Sequence, residues 1–100
     1  MSSLNLNIPH NLSKEEALSR IKNLLSNLKQ EHQDMISDVH ESWRNNNGKF
    51  SFKAKGFNLA GDIVVNDSNV QINSDLPFAV SFFKSAISDV ITKKAKALLA

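Results

Sequence analysis

Hydrophobic positions change period several times along the chain, and each change marks an element. Leu4, Leu6 and Ile8 alternate with asparagines, the period of a strand with one buried face. Pro9 stops it, because proline cannot donate to a ladder. Ala17, Leu18, Ile21, Leu24, Leu25 and Leu28 then recur at helical spacing, with Glu15, Ser19, Lys22, Asn23, Ser26 and Gln30 opposite. Ser13 and Glu16 have capping-box spacing, and Glu15 and Glu16 place negative charge in the first turn. The pattern predicts one helix from Lys14 to about Gln30. His32, Met35 and Ile36 would prolong its stripe, but the change of period in SDVHESW places the exit near Gln33.

Period two returns in four further segments. Val39 and Trp43 share one face of the first, with Glu41 in register between them and His40 and Ser42 opposite. Asn45-Asn46-Asn47-Gly48 is a turn signal, with Gly48 the residue best able to take positive φ. In KFSFKAK, Phe50, Phe52 and Ala54 face one way and Lys49, Ser51, Lys53 and Lys55 the other. After a turn or bulge at Gly56, Phe57, Leu59, Gly61, Ile63 and Val65 share a face, and after Asn66–Asn69, Val70 and Ile72 close the meander.

Pro77 opens the last stretch, which predicts a single long amphipathic helix to Ala100. Ala79, Val80, Phe83, Ala86, Ile87, Val90, Ile91, Ala97 and Leu98 form its apolar face, and Lys94 interrupts it. Its first half is expected to be core. Its last two turns mix lysines with Ala97, Leu98 and Leu99; either Lys94 snorkels past the sheet edge or the stripe's last turn leaves the core and meets a partner. The fold class is therefore α+β, in the order β-α-β-β-β-β-α. An antiparallel meander sheet carries two amphipathic helices on one face, and the C-terminal one is long. The first strand docks either at a sheet edge or against the last strand.

Length and composition narrow the class. One hundred residues form one domain, 1–100, with a modest core. A hydrophobic fraction of 41% and a charged fraction of 22% are those of a globular chain rather than a disordered one. The net charge of +2 is too weak to argue for nucleic acid without a concentrated patch. Lys49, Lys53 and Lys55 line one strand face, but no aromatic residue interleaves with them to stack bases. The absence of cysteine excludes disulfides, thiolate nucleophiles and thiolate metal sites. The N-terminal MSSLNLNIPH has neither a basic nor an apolar signal region, and no run reaches the length of a membrane helix. The expectation is a soluble cytoplasmic protein.

Candidate chemistry is sparse. His10, His32 and His40 have no ligand spacing, so no metal or other cofactor is expected. His10 reads as a corner residue and His32 as a helix boundary. Glu41, on the apolar side of its strand, is the one carboxylate placed for a raised pKa, although a solvated strand end or a lysine partner explains it more simply. No nucleophile motif or phosphate-binding glycine loop is present. No catalytic residue is assigned. The last helix, with Phe82 and Phe83 early and Lys93, Lys94 and Lys96 late, also has the make-up of a basic amphipathic helix that lies on a surface. The simpler reading packs its aromatic end on the sheet.

Several motifs together carry a resemblance. PHNLSKEEA, ESWRNNNGKFSFKAKGFNLAGDIVVNDSNVQI and LPFAVSFFKSAI, followed by a lysine-rich helix, resemble the polyhydroxyalkanoic acid system protein family. These are small proteins from polyhydroxyalkanoate granule gene regions. The likeness spans about Ile8 to Leu99 and rests on structural positions: Pro9-His10, Trp43 before the Asn/Gly turn, Gly56-Phe57, Gly61 and Leu76-Pro77-Phe78. It implies a link to storage-polyester granules and supplies no catalytic residues. The first expectation is a non-enzymatic accessory or binding protein whose partner is a granule surface, contacted through Lys93, Lys94, Lys96 and Leu98. The second is an apolar-ligand module of reduced helix-grip (START-like) type, with Trp43, Phe50, Phe52, Phe57 and Phe83 lining its pocket. A small enzyme using Glu41 or a histidine is a third, and homodimerisation through a sheet edge or the last helix a further possibility.

Overall fold

The computed structural model describes the backbone of residues 2–100 and, except at Ser2 and Phe78, their side chains. The elements are β1 (Ser2–Pro9), α1 (Lys14–Ile21), α2 (Leu24–Glu31), β2 (Ile36–Arg44), β3 (Asn47–Ala54), β4 (Phe57–Val65), β5 (Asn69–Leu76), a 3-10 segment (Phe78–Phe83) and α3 (Lys84–Leu99). The strands form one antiparallel sheet in the order β1-β5-β4-β3-β2. β1 therefore docks in both of the expected ways at once, against the last strand and as an edge. Leu4 lies opposite Ser74, Leu6 opposite Ile72 and Ile8 opposite Val70, so the leucines and isoleucines join the face that the helices cover.

Period two was a faithful guide to that face. Leu4, Ile8, Phe50, Phe52, Ala54, Leu59, Ile63, Val65, Val70 and Ile72 are all buried beneath the helices. The other face is solvated and carries Ser3, Asn5, Asn7, Gln71, Asp62, Lys49 and their neighbours. Phe57 departs from expectation. It is in phase with Leu59 but 40% exposed, because it is the first residue of β4, at the rim of the sheet.

The turn before β3 also differs. Arg44 pairs with Asn47, so the reversal is made by Asn45 and Asn46, and Asn45 takes the positive φ (55°). Gly48 lies inside β3 opposite Trp43, where a Cβ would come within 2.7 Å of the indole. This glycine makes room for a ring instead of turning the chain. The β3–β4 reversal uses Lys55 (φ 53°) and Gly56 (φ 87°), two positive-φ residues whose twist suits a tight hairpin.

The first helix is two. Ser13 caps as expected, its Oγ accepting from the Glu16 N–H at 3.1 Å, while the Glu16 carboxylate pairs forward with Arg20. The chain then tightens, with the Asn23 N–H donating to the Arg20 carbonyl, and α2 restarts at Leu24. The apolar stripe continues through Ile21, Leu24, Leu25 and Leu28, so periodicity alone cannot show the break. α1 packs on α3 and β4, α2 on α3 and β2, and the bend lets one stripe follow a twisted sheet. α2 ends at Glu31 with His32 as its C-cap, the boundary role expected of that histidine.

The last helix differs most. After Pro77 six residues wind as 3-10, at about three residues per turn, before α3 begins. The phase therefore slips. The buried positions are Val80, Ile87, Ile91, Ala95 and Leu99, whereas Ala79, Phe83, Ala86 and Ala97, expected inside, are exposed. The alternative in which the stripe's last turn leaves the core is overturned by Ala95 and Leu99, which are 0% and 5% exposed.

Candidate interaction surfaces

His10 is a corner brace. It is buried at the end of β1, and its Nδ1 accepts from the Leu12 N–H at 3.1 Å. Its Nε2 lies 3.0 Å from the Asn66 carbonyl, which can only accept, so the ring donates there as the neutral Nε2–H tautomer. Both nitrogens are used, and the β1–α1 corner is tied to the β4–β5 turn. Among the described residues no group of three or more His, Asp or Glu side chains could hold a metal ion.

Glu41 lies opposite Phe50 on the helix-covered side of edge strand β2. Burial raises its pKa above the ordinary value of 4.5; the Trp43 side chain and the Lys22 ammonium pull it down, incompletely. Lys22 Nζ lies 5.8 Å from the Trp43 ring centroid, so helix, indole and carboxylate meet at one corner. The Trp43 Nε1–H is buried and makes no hydrogen bond of full geometry, although it lies near enough to Glu41 to favour the charged carboxylate. Lys22 acts on Glu41 only through its charge and stands on the Trp43 ring, and Glu41 itself is an exposed residue of the edge strand.

Two of the three lysines of β3 and its turn have a partner: Lys53 Nζ lies 3.4 Å from Asp38 and Lys55 stands over the Phe83 ring at 5.3 Å, while Lys49 is exposed and sits across the ladder from Asp62. The late lysines of α3 divide. Lys94 pairs with Glu31 across the α2–α3 contact, while Lys93 and Lys96 are exposed. Leu98 is half-buried, and its carbonyl accepts from Arg20 Nη1 at 3.3 Å. A cleft of about 450 Å³ beside these residues is lined by Glu31, His32, Asp89, Val90, Lys93, Lys94 and Ala97, with charges of both signs.

The five aromatics expected to line a pocket fall into two groups. Phe50 and Phe52 are buried and stacked, with centroids 5.8 Å apart, and Trp43 is half-buried in the neighbouring strand. Phe57 and Phe83 lie at the rim, 40% and 39% exposed. Between sheet and α3 there is a void of about 10 Å³, lined by Met35, Ile36, Phe52, Ala54, Ile87, Val90 and Ile91. Such a space holds about one water, against the ~300 Å³ or more of a small-molecule site.

At the rim the structure assembles something that periodicity did not. The β3–β4 turn brings Lys55 onto Phe83, with Phe57 two residues further along. Phe82, next to Phe83 in the 3-10 segment, is 78% exposed, the most exposed large hydrophobic side chain described. The expectation that the aromatic end of this stretch packs on the sheet is therefore corrected, because the 3-10 winding turns both rings outward. Phenylalanine flanked by Ser81 and Lys84 was the available signal.

The fold and these surfaces define a small α+β protein with one helix-covered antiparallel sheet and a lysine-flanked aromatic rim. A family model matches residues 4–99, and the chain belongs to that family, described as "Putative polyhydroxyalkanoic acid system protein". No curated protein and no solved structure gives a significant match. No helix among the described residues is long and apolar enough to cross a membrane.

Proposed function

We propose that this chain is a non-enzymatic accessory protein of the polyhydroxyalkanoate system. It would act in the cytoplasm by adsorbing to the apolar surface of storage granules through the rim of Phe57, Phe82 and Phe83. The observation that carries this reading is the 78% exposure of Phe82 next to the exposed Phe83, whose ring lies under Lys55 of the β3–β4 turn that leads to the exposed Phe57. An exposed aromatic cluster bordered by polar residues is a mark of an interaction site. Lys55 and Lys84 flank it, the arrangement of an interfacial anchor: rings for the apolar phase, ammonium groups for an anionic boundary. The family link supplies the context. The start of the last helical stretch thus fits the contact better than Lys93, Lys94, Lys96 and Leu98, since Lys94 and Leu98 are already engaged within the chain. An apolar small molecule held between sheet and α3 in the helix-grip manner would have to open a void of about 10 Å³.

Co-sedimentation of the purified protein with polyester particles tests the proposal. Burying one phenylalanine is worth about 2 kcal/mol, so Phe82→Ser should lower partitioning roughly thirtyfold. Wild-type protein that stays in the supernatant at both low and high salt would overturn the reading.

A further inference from the structure

The two edges of the sheet are unlike. β2 carries Asp38, His40, Glu41 and Arg44, and its register shifts between Ser37 and His40, where Asp38 adopts a φ of 51°. Charges and a bulge are the usual means by which an edge strand resists pairing with another chain. β1, Ser2–Pro9, has neither. It contains no charged residue and pairs with β5 in unbroken register along its whole length.

The ladder fixes which groups β1 offers outward. The His10 N–H donates to the Ser68 carbonyl at 2.9 Å, one step beyond the Pro9–Asn69 pair of the same register. In an antiparallel pair the bonded residues alternate, so Leu4, Leu6 and Ile8 exchange their bonds with β5. The N–H and C=O groups of Ser3, Asn5 and Asn7 then face away from the sheet. Pro9 falls in this outward set, where its missing N–H costs the ladder nothing.

We infer that β1 is a homodimer interface, pairing antiparallel with β1 of a second copy about a two-fold axis at Leu6 to make one continuous sheet. The strand is self-complementary in that register. Asn5 exchanges both backbone bonds with the second copy's Asn7, and the Ser3 N–H reaches the second copy's Pro9 carbonyl. Leu6 meets its own equivalent in a non-bonded pair, where side chains approach most closely. Leu6 is the one apolar residue of β1 left half-exposed between the buried Leu4 and Ile8, and this pairing would cover it. Leu4 would stand opposite Ile8 on the same face. The register keeps apolar residues against apolar ones, and the absence of charge means that no like charges meet across the axis.

Sedimentation equilibrium tests this, together with amide exchange on the intact chain. The expected mass is about 22 kDa, twice the 11.1 kDa of the chain, with Asn5 and Asn7 amides whose protection rises with protein concentration. Asn5→Pro removes an outward N–H and one exposed side-chain bond, from Asn5 Nδ2 to Ser3 Oγ, and takes nothing from the β1–β5 ladder; Asn5→Lys sets like charges near the axis. Both should give monomers with an unchanged circular dichroism spectrum. A wild-type monomer at the highest soluble concentration would overturn the inference. So would a dimer that survives both substitutions, or one in which the Asn5 and Asn7 amides stay unprotected. Phe82→Ser serves as the control and should leave the mass unaltered; a monomer there would assign the association to the aromatic rim instead.

Discussion

At the scale of single residues, the side chains that look chemical turn out to be braces. His10 spends both ring nitrogens on backbone partners. Lys94 meets Glu31 between helices, and Gly48 vacates the space that Trp43 fills. Glu41 is the exception that leaves a measurable trace. Its carboxyl is raised by desolvation, against the weaker opposing effects of Trp43 and Lys22. A carboxyl whose folded pKa is raised favours the native state while protonated. That contribution is fully present below the ordinary value of 4.5 and is lost as pH rises through the folded value. Glu41→Gln, which stays neutral throughout, should therefore melt at a higher temperature than wild type at pH 7. The gap should close as pH falls below 4.5. Melting curves across that range check it, and a Glu41→Gln protein less stable than wild type at pH 7 would mean that the Lys22 contact outweighs desolvation.

At the scale of elements, the strands were legible and the helices only partly so. Strand side chains alternate whatever the sheet's twist, so Phe50, Phe52, Leu59, Ile63, Val70 and Ile72 could be placed from the sequence. A helical stripe shows which side is apolar but not where the backbone changes pitch. Hence the Lys22–Asn23 break was hidden, and with the 3-10 winding after Pro77 the buried face of α3 keeps Ile87 and Ile91 as expected but takes in Ala95 and Leu99 in place of Ala86 and Ala97. The aromatic rim was hidden for the same reason, since a phase slip of part of a turn decides whether Phe83 points in or out. Nor does the sequence reveal what holds the last turn of α3. Arg20 Nη1 donates to the Leu98 carbonyl and, at 2.7 Å, to that of Ala100, while its Nε is held by Glu16 at 2.9 Å. A side-chain guanidinium thus satisfies carbonyls that the helix end leaves open. Arg20→Met, which keeps the stem, should cost about 1 kcal/mol. It should also speed amide exchange over the last turn while the Ile87–Ile91 region stays protected. Equal exchange in both proteins would show that the packing of Ala95 and Leu99 alone holds the helix.

At the scale of the whole molecule, the surfaces are segregated. The helices cover one face of the sheet, the opposite face is solvated and rich in asparagine and serine, and the exposed rings gather at the rim where the β3–β4 turn meets the 3-10 segment. If the rim adsorbs as proposed, the polar face and the β1 edge are left directed elsewhere, so adsorption and self-association would not compete. The contact would also combine two forces with different salt responses. Attraction of Lys55 and Lys84 to an anionic boundary is screened within about 8 Å at physiological ionic strength, whereas burial of Phe82 is not. Lys55 stands over Phe83, so it both orients a ring and sets the local charge. Lys55→Glu should therefore weaken adsorption to anionic particles strongly at low salt and only slightly in high salt, and should change adsorption to uncharged particles little. Phe82→Ser should weaken all of these alike. Pelleting assays on anionic and uncharged particles over a salt series separate the two. If Lys55→Glu and Phe82→Ser gave identical salt profiles on anionic particles, charge and rings would not act as separate parts of one contact, and the rim would have to be recast as a purely apolar patch.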